Sequence, residues 1–334
     1  MTKQRKARIR GLIFLLIGVA VLAGVLIFLH MNESGQYKET RNQMSEGFGT
    51  LKTIEWKGTT YREKPAVTTM LIAGVDRDGT IQEKNTGYRN NGQADFLLLM
   101  AIDHTDKKIY RLQIDRDTMA ETVVLGIFGN EAGTRIQQIC LAHYYGGSPE
   151  DSAKYTVRAV QNLLGGAEIE GYYMVDYSSV PVLNDALGGV TVHLDFDMTS
   201  VNPEWTQGKT VTLHGKEAET FVRSRMTIGA GTNEERMIRQ NEFMTNAIKQ
   251  MNTKLAKDLS FGDQLLMTLQ KVSVTNFTQK RLLEELNQAY RYEILPVDHP
   301  AGEYTIGLDG FVEFHMQENA AAEWVLENLY TKVE

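Results

Sequence analysis

An uncharged apolar segment near the beginning of the sequence constrains this chain more than any other feature. Gly11–Leu29 contains nineteen residues without a charge. As a helix such a run would span roughly 28 Å, close to the thickness of the hydrocarbon core of a bilayer. The charges that precede it are all basic, namely Lys3, Arg5, Lys6, Arg8 and Arg10. By the positive-inside rule this flank stays in the cytoplasm. A cleaved signal peptide is the alternative, although its apolar core is usually shorter.

The sequence therefore predicts a single-pass type II protein of the cell membrane. We expect a cytoplasmic tail over residues 1–10, a transmembrane helix over residues 11–30 and an extracytoplasmic stalk over residues 31–65. The stalk is polar, and a short hairpin is expected around Glu55–Arg62 at its end. Residues 66–334 would then form one large extracytoplasmic domain.

Charge and cysteine content narrow the class of that domain. The whole chain carries 35 Lys and Arg against 42 Asp and Glu. Because five of the basic residues lie in the tail, the remainder is more acidic still, which argues against a nucleic-acid partner. Cys140 is the single cysteine, so no intramolecular disulfide can form and the domain must be stabilised by its own core. Those properties suit a large bacterial extracytoplasmic domain.

Apolar patterning in residues 66–334 alternates between strands and helices. Such alternation predicts an α/β sandwich around a mixed β-sheet. The predicted strands are Thr68–Val75, Phe96–Asp103, Lys108–Asp115 and Val190–Phe196. The predicted helices are Tyr155–Leu164, Ser178–Leu187 and Asn233–Met251.

Charged side chains stand at three of the predicted strand ends. Asp76 follows the first strand and Asp95 precedes the second, while Arg116 and Asp117 follow the third. A four-residue hairpin loop sets Asp103 opposite Lys108, and counting along the ladder then sets Asp95 opposite Arg116. Two carboxylates beside arginine suit Mg²⁺ together with phosphate oxygens. Solvated charges that merely cluster at strand ends are the competing interpretation.

A second basic group lies downstream. Arg223 and Arg225 would share one face if their segment were extended. Arg236, Arg239 and Gln240 share one face of a helix because of their i, i+3, i+4 spacing. The predicted helix could aim two guanidinium groups into a cleft. Alternatively these arginines form an exposed face that pairs with nearby glutamates.

Taken in order, these segments resemble the LytR-CpsA-Psr family of cell-envelope proteins. The resemblance is close over about residues 66–251. It rests on LIAGVD (71–76), QADFLLLMAID (93–103), IDRDT (114–118), HYYGG (143–147), LLGGAEIEGYYMVDYSSVPVLNDALGGVTV (163–192), LHGKEAETFVRSR (213–225) and ERMIRQNEFMTNAI (235–248).

The resemblance implies an α-β-α sandwich on a membrane anchor and a role for each charged residue. Mg²⁺ ligands of the family match Asp76 and Asp95, and an acidic residue thought to orient the site matches Asp117. Pyrophosphate-binding side chains match Arg116, Arg236, Arg239 and Gln240, and a further arginine pair matches Arg223 and Arg225. Where relatives usually carry cations or asparagine near the pyrophosphate, this chain has Gln93, Asp78, Gln138 and Cys140.

The resemblance also implies an activity. Family members move a glycopolymer phosphate from a polyprenyl-pyrophosphate carrier in the membrane to a sugar hydroxyl of peptidoglycan. The polymer could be a teichoic acid, a capsule or another glycan, in a Gram-positive-type bacterium. Two other functions stay open, namely hydrolysis of the polyprenyl pyrophosphate and non-catalytic binding or sensing of lipid-linked glycans. Non-catalytic binding is considered because Gln93 lacks the positive charge that relatives usually carry at this position.

Overall fold

The computed structural model describes residues 53–77, 79–84 and 87–333. The predicted cytoplasmic tail, the predicted transmembrane helix and most of the predicted stalk lie outside these residues, as does Asp78. Within the described part of the chain, no helix combines the length and apolarity that crossing a bilayer requires.

The described residues form strands and helices in an irregular alternation. The strands are β1 (Thr53–Trp56), β2 (Thr59–Glu63), β3 (Val67–Asp76), β4 (Gln93–Asp103), β5 (Lys108–Ile114), β6 (Met119–Leu125), β7 (Glu131–Gln138), β8 (Gly171–Asp176), β9 (Thr191–His193), β10 (Thr210–Thr212), β11 (Ser273–Thr275), β12 (Glu293–Asp298), β13 (Gly302–Ile306), β14 (Val312–Met316) and β15 (Tyr330–Lys332). The α-helices are α1 (Pro149–Leu163), α2 (Ser179–Leu187), α3 (Lys216–Arg223), α4 (Asn233–Lys257), α5 (Ser260–Leu269), α6 (Gln279–Ala289) and α7 (Ala320–Leu329).

A six-stranded mixed sheet lies at the centre, in the order β11-β8-β3-β4-β5-β12. Strands β3, β4 and β5 are antiparallel to their neighbours in this trio, whereas β8 runs parallel to β3 and β12 runs parallel to β5. The predicted α/β fold with a central mixed sheet is therefore confirmed. The sequence of β4 explains its central place, because nearly every residue of this strand is buried, as is typical of strands covered on both faces.

The two faces of the sheet are filled differently. One face, with Leu71 and Leu99, packs into a dense core against α1 and α7, which contribute Val160 and Trp324. The opposite face, which includes Ile72, lines an apolar cavity beneath α2, α4, α5 and α6. This difference decides where a ligand can enter the fold.

The predicted elements are present, with shifted ends. Helix α1 begins six residues before the predicted Tyr155, because Ser148 caps it by accepting a hydrogen bond from the Asp151 backbone and Pro149 occupies its first turn. Helix α4 runs to Lys257, past the predicted end. The strand expected at Val190–Phe196 is shorter, because β9 pairs only with the three residues of β10.

The expected hairpin near residue 60 exists, but it does not belong to a separate stalk. Strand β2 pairs on one side with β1 and on the other with β15, near the C-terminus. Ile54 and Trp56 are buried in the same core as α7. Residues 53–63 are therefore part of the folded domain, which corrects the stalk boundary predicted at residue 65. Pairing with β15 is nonlocal and leaves no local pattern in the sequence.

The burial of Trp56 supplies a test of this boundary. Trp56→Ala should destabilise the domain by about 3 kcal/mol, the usual cost of truncating a buried aromatic side chain. Leu308→Ala is the control, because Leu308 is fully exposed on a hairpin tip and its loss should change stability by less than about 0.5 kcal/mol. Denaturant unfolding of the full-length protein, followed by circular dichroism, measures both. Equal midpoints for Trp56→Ala and the parent would show that the hairpin is an independent stalk.

Candidate functional site

Three strand ends meet at one edge of the central sheet. Asp76 is the last residue of β3 and lies opposite Gln93, the first residue of β4. The pairing of β3 with β4 shifts register between Gly74 and Val75, so Asp95 is the extra residue of a β-bulge. Bulges re-aim side chains and are common beside active sites. The arrangement gathers the predicted strand-end charges at this edge.

Arg116 follows β5 and connects the other groups of this edge. Its Nη1 donates to Asp95 Oδ1, its Nη2 donates to Gln93 Oε1 at 2.5 Å, and its Nε lies 3.2 Å from Asp117 Oδ1. Burial alone would lower the pKa of Arg116, but Cys140, Asp95 and Asp117 together raise it. The guanidinium is therefore permanently charged. Asp103 lies opposite Lys108 as predicted, and beyond the last ladder pair the side chains of Asp95 and Arg116 meet.

The buried carboxylate of Asp95 is shared by two arginines. Its Oδ2 accepts from Arg236 Nη1 at 2.9 Å and also from the Tyr177 hydroxyl at 3.4 Å. Arg236 is itself fixed by Asn233, whose Oδ1 lies 2.6 Å from Arg236 Nη2. Arg116 is also paired with Asp117, so the two guanidinium groups here are matched by two carboxylates. Guanidinium groups still suit phosphate, because their planar fork can bind two of its oxygens.

Asp117 lies on the other side of Arg116, in a chain of hydrogen bonds. Its backbone N–H donates to Asp115 Oδ1 at 2.7 Å, and Asp115 Oδ2 accepts from the Tyr304 hydroxyl at 2.6 Å. Gln138 Nε2 donates to Asp117 Oδ1 at 3.1 Å. Burial raises the pKa of Asp117, while Arg116 acts in the opposite direction. A carboxylate with a raised pKa is better suited to accept a proton near neutral pH.

The arginine pair after β10 does not have the extended geometry considered for it. Arg223 lies in the last turn of α3, so it and Arg225 do not alternate along a strand. Arg223 Nη2 lies 3.2 Å from Asp76 Oδ1, and its guanidinium lies 4.6 Å from the centre of the Tyr177 ring. Arg225 has no carboxylate partner among the described residues, yet its charge lowers the pKa of Asp117. Both arginines thus act on the site.

Arg239 and Gln240 point toward backbone carbonyl groups at the C-terminal end of α3. Arg239 Nη1 donates to the Phe221 carbonyl at 2.7 Å, and its Nη2 donates to the Ser224 carbonyl. Gln240 Nε2 donates to the Val222 carbonyl at 3.4 Å. Burial and the nearby Arg236 lower the pKa of Arg239 to about 10. In this structure both side chains brace the end of α3, so their predicted contact with pyrophosphate stays a prediction.

The departures from the family pattern surround Arg116 with neutral groups. Cys140 Sγ lies 3.1 Å from Arg116 Nη2 and 3.9 Å from Gln93 Oε1. Burial raises the pKa of the Cys140 thiol to about 12, so the thiol is uncharged. Gln138 also donates to the Val312 carbonyl at 2.6 Å. These side chains therefore support Arg116 and Asp117 without adding positive charge.

The donor set suits a hard cation only in part. Asp76 and Asp95 provide carboxylate oxygens, the kind of ligand that Mg²⁺ prefers. Across the described part of the chain, no three side chains of His, Cys, Asp or Glu converge on one point. Protein sites for Mg²⁺ often use one or two carboxylates together with substrate phosphates. The pair therefore fits Mg²⁺ when a phosphorylated ligand completes its coordination.

An apolar cavity of about 270 Å³ runs along the sheet and reaches this edge. Its lining includes Tyr177 and Gln240 beside the charged residues. Val180 and Leu183 line it from α2, whereas Leu187 of the same helix is buried in a separate core. A ligand with a charged head and an apolar tail would match both regions.

Sequence reasoning missed two tyrosines of the site. Tyr177 follows β8, and its hydroxyl donates to Asp95 while its ring packs under Arg223. Tyr304 reaches Asp115 from the hairpin of β13 and β14. Parallel pairing of β8 with β3 brings Tyr177 to the edge where Asp76 ends, so the signal available was its place directly after a buried strand. No local signal marks Tyr304.

The chain is similar in sequence and in fold to several known proteins. The chain is 24% identical over 271 residues to the polyisoprenyl-teichoic acid–peptidoglycan teichoic acid transferase TagU of Bacillus anthracis, covering 80% of this chain and 79% of that protein. It is 28% identical over 232 residues to the protein of the same name from Oceanobacillus iheyensis, covering 67% and 64%. A solved structure of TagT bound to LIIa-WTA has the same fold, with a TM-score of 0.60 at 18% identity over 85% of this chain and 98% of that one. A sequence profile of the LytR_cpsA_psr family matches residues 26–321, and the chain therefore belongs to that family.

Proposed function

We propose that this protein is a membrane-anchored, Mg²⁺-dependent transferase of glycopolymer phosphate. The donor would be a polyprenyl-pyrophosphate-linked glycopolymer, and the acceptor a sugar hydroxyl of peptidoglycan. The observation that carries the proposal is that an apolar cavity reaches Tyr177, whose hydroxyl donates to Asp95 in the cluster of arginines and carboxylates. A prenyl tail fits the cavity, and a pyrophosphate fits the cluster.

The transfer of a phosphoryl group requires little covalent participation by the protein. The acceptor oxygen forms a bond to the phosphorus that carries the glycopolymer, and the bond from that phosphorus to the bridging oxygen breaks. Prenyl phosphate leaves, and the acceptor proton passes to a base. Such a transfer depends on positioning and on cations that stabilise developing negative charge.

Each residue of the site has a part in this scheme. Arg116 and Arg236 bind and orient the pyrophosphate, with Arg223 and Arg225 as further cations. Asp117 is the base for the acceptor hydroxyl. Asp76 and Asp95 would hold Mg²⁺, which when bound supplies positive charge to the phosphate oxygens.

The names of the relatives bear on which polymer is transferred and on where the protein lies in the cell. TagU is named as a teichoic acid transferase that acts on polyisoprenyl-linked polymer and peptidoglycan. We therefore propose a teichoic acid or a related glycan as the cargo. We also propose that the domain lies at the outer surface of a Gram-positive-type membrane, where a lipid-linked donor would be, and that the helix predicted over residues 11–30 anchors it there.

A non-catalytic binder of lipid-linked glycans is the second candidate. Gln93 and Cys140 favour it, because neutral side chains touch Arg116 where relatives usually carry other groups. Incubation of the full-length protein with a polyprenyl-pyrophosphate glycan separates the two, since only an enzyme releases prenyl phosphate. A labelled peptidoglycan acceptor then separates transfer from hydrolysis, the remaining alternative.

Arg116→Lys tests whether the geometry of Arg116 matters beyond its charge. Lysine keeps the charge but cannot make the fork of contacts that reaches Asp95, Gln93 and Asp117. We expect turnover to fall by at least about tenfold, equivalent to roughly 1.4 kcal/mol. Arg158→Lys is the matched control, because Arg158 forms an exposed pair with Glu131 and should keep activity. Full activity of Arg116→Lys would show that turnover does not depend on the guanidinium geometry of Arg116.

Asp95→Asn separates metal binding from the anchoring of arginines. If Asp95 binds Mg²⁺, the Mg²⁺ concentration for half-maximal turnover should rise at least about tenfold, because a hard cation loses a charged ligand. Binding of pyrophosphate without Mg²⁺ measures the anchoring separately, because it should weaken only if Asp95 is needed to hold Arg116 and Arg236 in place. Asp195→Asn, at an exposed site, is the control. An unchanged Mg²⁺ requirement would mean that Asp95 does not bind the metal and only holds the two arginines in place.

Gln93→Arg tests the missing cation. The added guanidinium would lie beside Arg116 and within reach of a bound pyrophosphate, and hydrogen bonds to charged groups exceed neutral ones by about 1 kcal/mol. We expect binding of a polyprenyl-pyrophosphate analogue to tighten by about tenfold, with a smaller gain in high salt. Gln93→Met, a neutral variant of similar size, should not tighten it. Isothermal titration in Mg²⁺ buffer measures all three proteins, and unchanged affinity for Gln93→Arg would contradict the expectation.

A further inference from the structure

The apolar cavity has a defined direction along the sheet. Thr68, Met70, Ile72 and Gly74 line it from β3, and they share one face because side chains alternate along a strand. Six residues of strand span about 20 Å. Gly74 marks the end beside the charged site, since Asp76 follows it two residues later. Thr68 therefore marks the far end.

Polar side chains close that far end. Thr68 and Glu285 belong to the lining of the cavity, and both are buried, at 3% and 7% exposure. Glu285 Oε1 accepts from Thr68 Oγ1 at 3.1 Å and lies 2.8 Å from Arg281 Nη2. Its Oε2 lies 3.2 Å from His104 Nε2. We call these four residues, Thr68, His104, Arg281 and Glu285, the end cluster.

The end cluster lies between the cavity and the solvent. Arg281 is 42% exposed at its side chain, whereas Glu285 is 9% exposed at its side chain. Thr68 Oγ1 is also 3.0 Å from Arg281 Nη2 and 3.2 Å from His104 Nε2. His104 is held from behind by the Tyr292 hydroxyl, 3.3 Å from Nδ1. The cluster is thus a connected wall rather than a single polar side chain.

An apolar ligand meets a steep barrier at this wall. Hydrocarbon pressed against the carboxylate of Glu285 would displace its partners, and a buried charge without partners is strongly unfavourable. The apolar lining before the wall has no such penalty, because Met70 and its cross-strand partner Met100 offer only carbon and sulfur contacts. The favourable energy of each added carbon should therefore stop where the end cluster begins.

We propose that the end cluster sets the length of isoprenoid tail that the cavity can hold. The inference rests on the proposed function, because it takes a prenyl pyrophosphate as the ligand. Within that function it makes Thr68 and Glu285 determinants of specificity for the lipid, at the end of the cavity opposite the reacting phosphate.

A series of prenyl pyrophosphates with increasing numbers of isoprene units tests the proposal. The full-length protein in lipid nanodiscs is titrated with each in Mg²⁺ buffer, and empty nanodiscs correct for partitioning into lipid. Affinity should rise by at least about tenfold per added unit while the tail lies in the cavity. Beyond the length that reaches the end cluster, affinity should no longer rise. This break point is the quantity to compare among variants.

Two variants should move the break point in opposite directions. Glu285→Ala shortens the wall, so the break point should shift to longer tails. Met70→Trp fills the cavity one alternate position nearer the site, so the break point should shift to shorter tails, and it keeps the test valid if Glu285→Ala does not fold. Glu285→Gln keeps the shape of the wall and a buried polar group that needs hydrogen-bond partners, so it should leave the break point in place.

The outcomes distinguish this inference from the proposed function. Break points that coincide in the parent, Glu285→Ala and Met70→Trp, with affinity still dependent on tail length, would overturn the end cluster as a length determinant and leave the proposed function intact. Affinities independent of tail length in every protein would overturn both, because the cavity would then not hold the lipid at all. Opposite shifts of the two variants support the inference.

Discussion

The carboxylate of Asp95, buried between Arg116 and Arg236, is the interaction on which the rest of the site depends. Asp95 belongs to β4, Arg116 follows β5 and Arg236 belongs to α4. A buried charge is tolerated only with partners, and removal of one partner is strongly destabilising. Asp95 therefore holds the sheet edge and α4 at a fixed separation. The same contact fixes the positions of two guanidinium groups, the side chains that best match phosphate oxygens.

The bulge at Asp95 makes that contact possible. In a regular ladder each residue of β4 would oppose one residue of β3, but here Gly74 pairs with Phe96 and Val75 pairs with Ala94. The unpaired residue, Asp95, carries its carboxylate to Arg116 and Arg236, and strand pairing resumes on both sides of the bulge. Arg239, one turn along α4 from Arg236, holds the carbonyl groups at the end of α3. That brace keeps Arg223 next to Asp76.

Local rules predicted part of this site from the sequence and could not predict the rest. The register of Asp95 with Arg116 followed from the length of one hairpin loop, because a short loop fixes every pair along an antiparallel ladder. The orientation of Arg239 did not follow, since helical spacing places it on a face but does not tell whether that face meets ligand or backbone. Arg223 was considered in an extended segment, whereas packing of α3 on α4 makes it helical. Tyr304 lies on a hairpin that is 189 residues along the chain from its partner Asp115.

The contrast between the two faces of the sheet connects the fold with its proposed function. Protein interiors pack as densely as organic crystals, and the face that carries Leu71 and Leu99 does so. A fold that needed only stability would fill the other face in the same way, because each unfilled volume lowers stability. Here the second face keeps a cavity that is bounded by Asp176 and Tyr177 at one end and by Thr68 and Glu285 at the other. Large apolar side chains, such as Phe96 and Met100, line it without closing it. The second face is therefore less completely packed along the cavity. The cavity extends from the end cluster toward the arginines that surround Asp95.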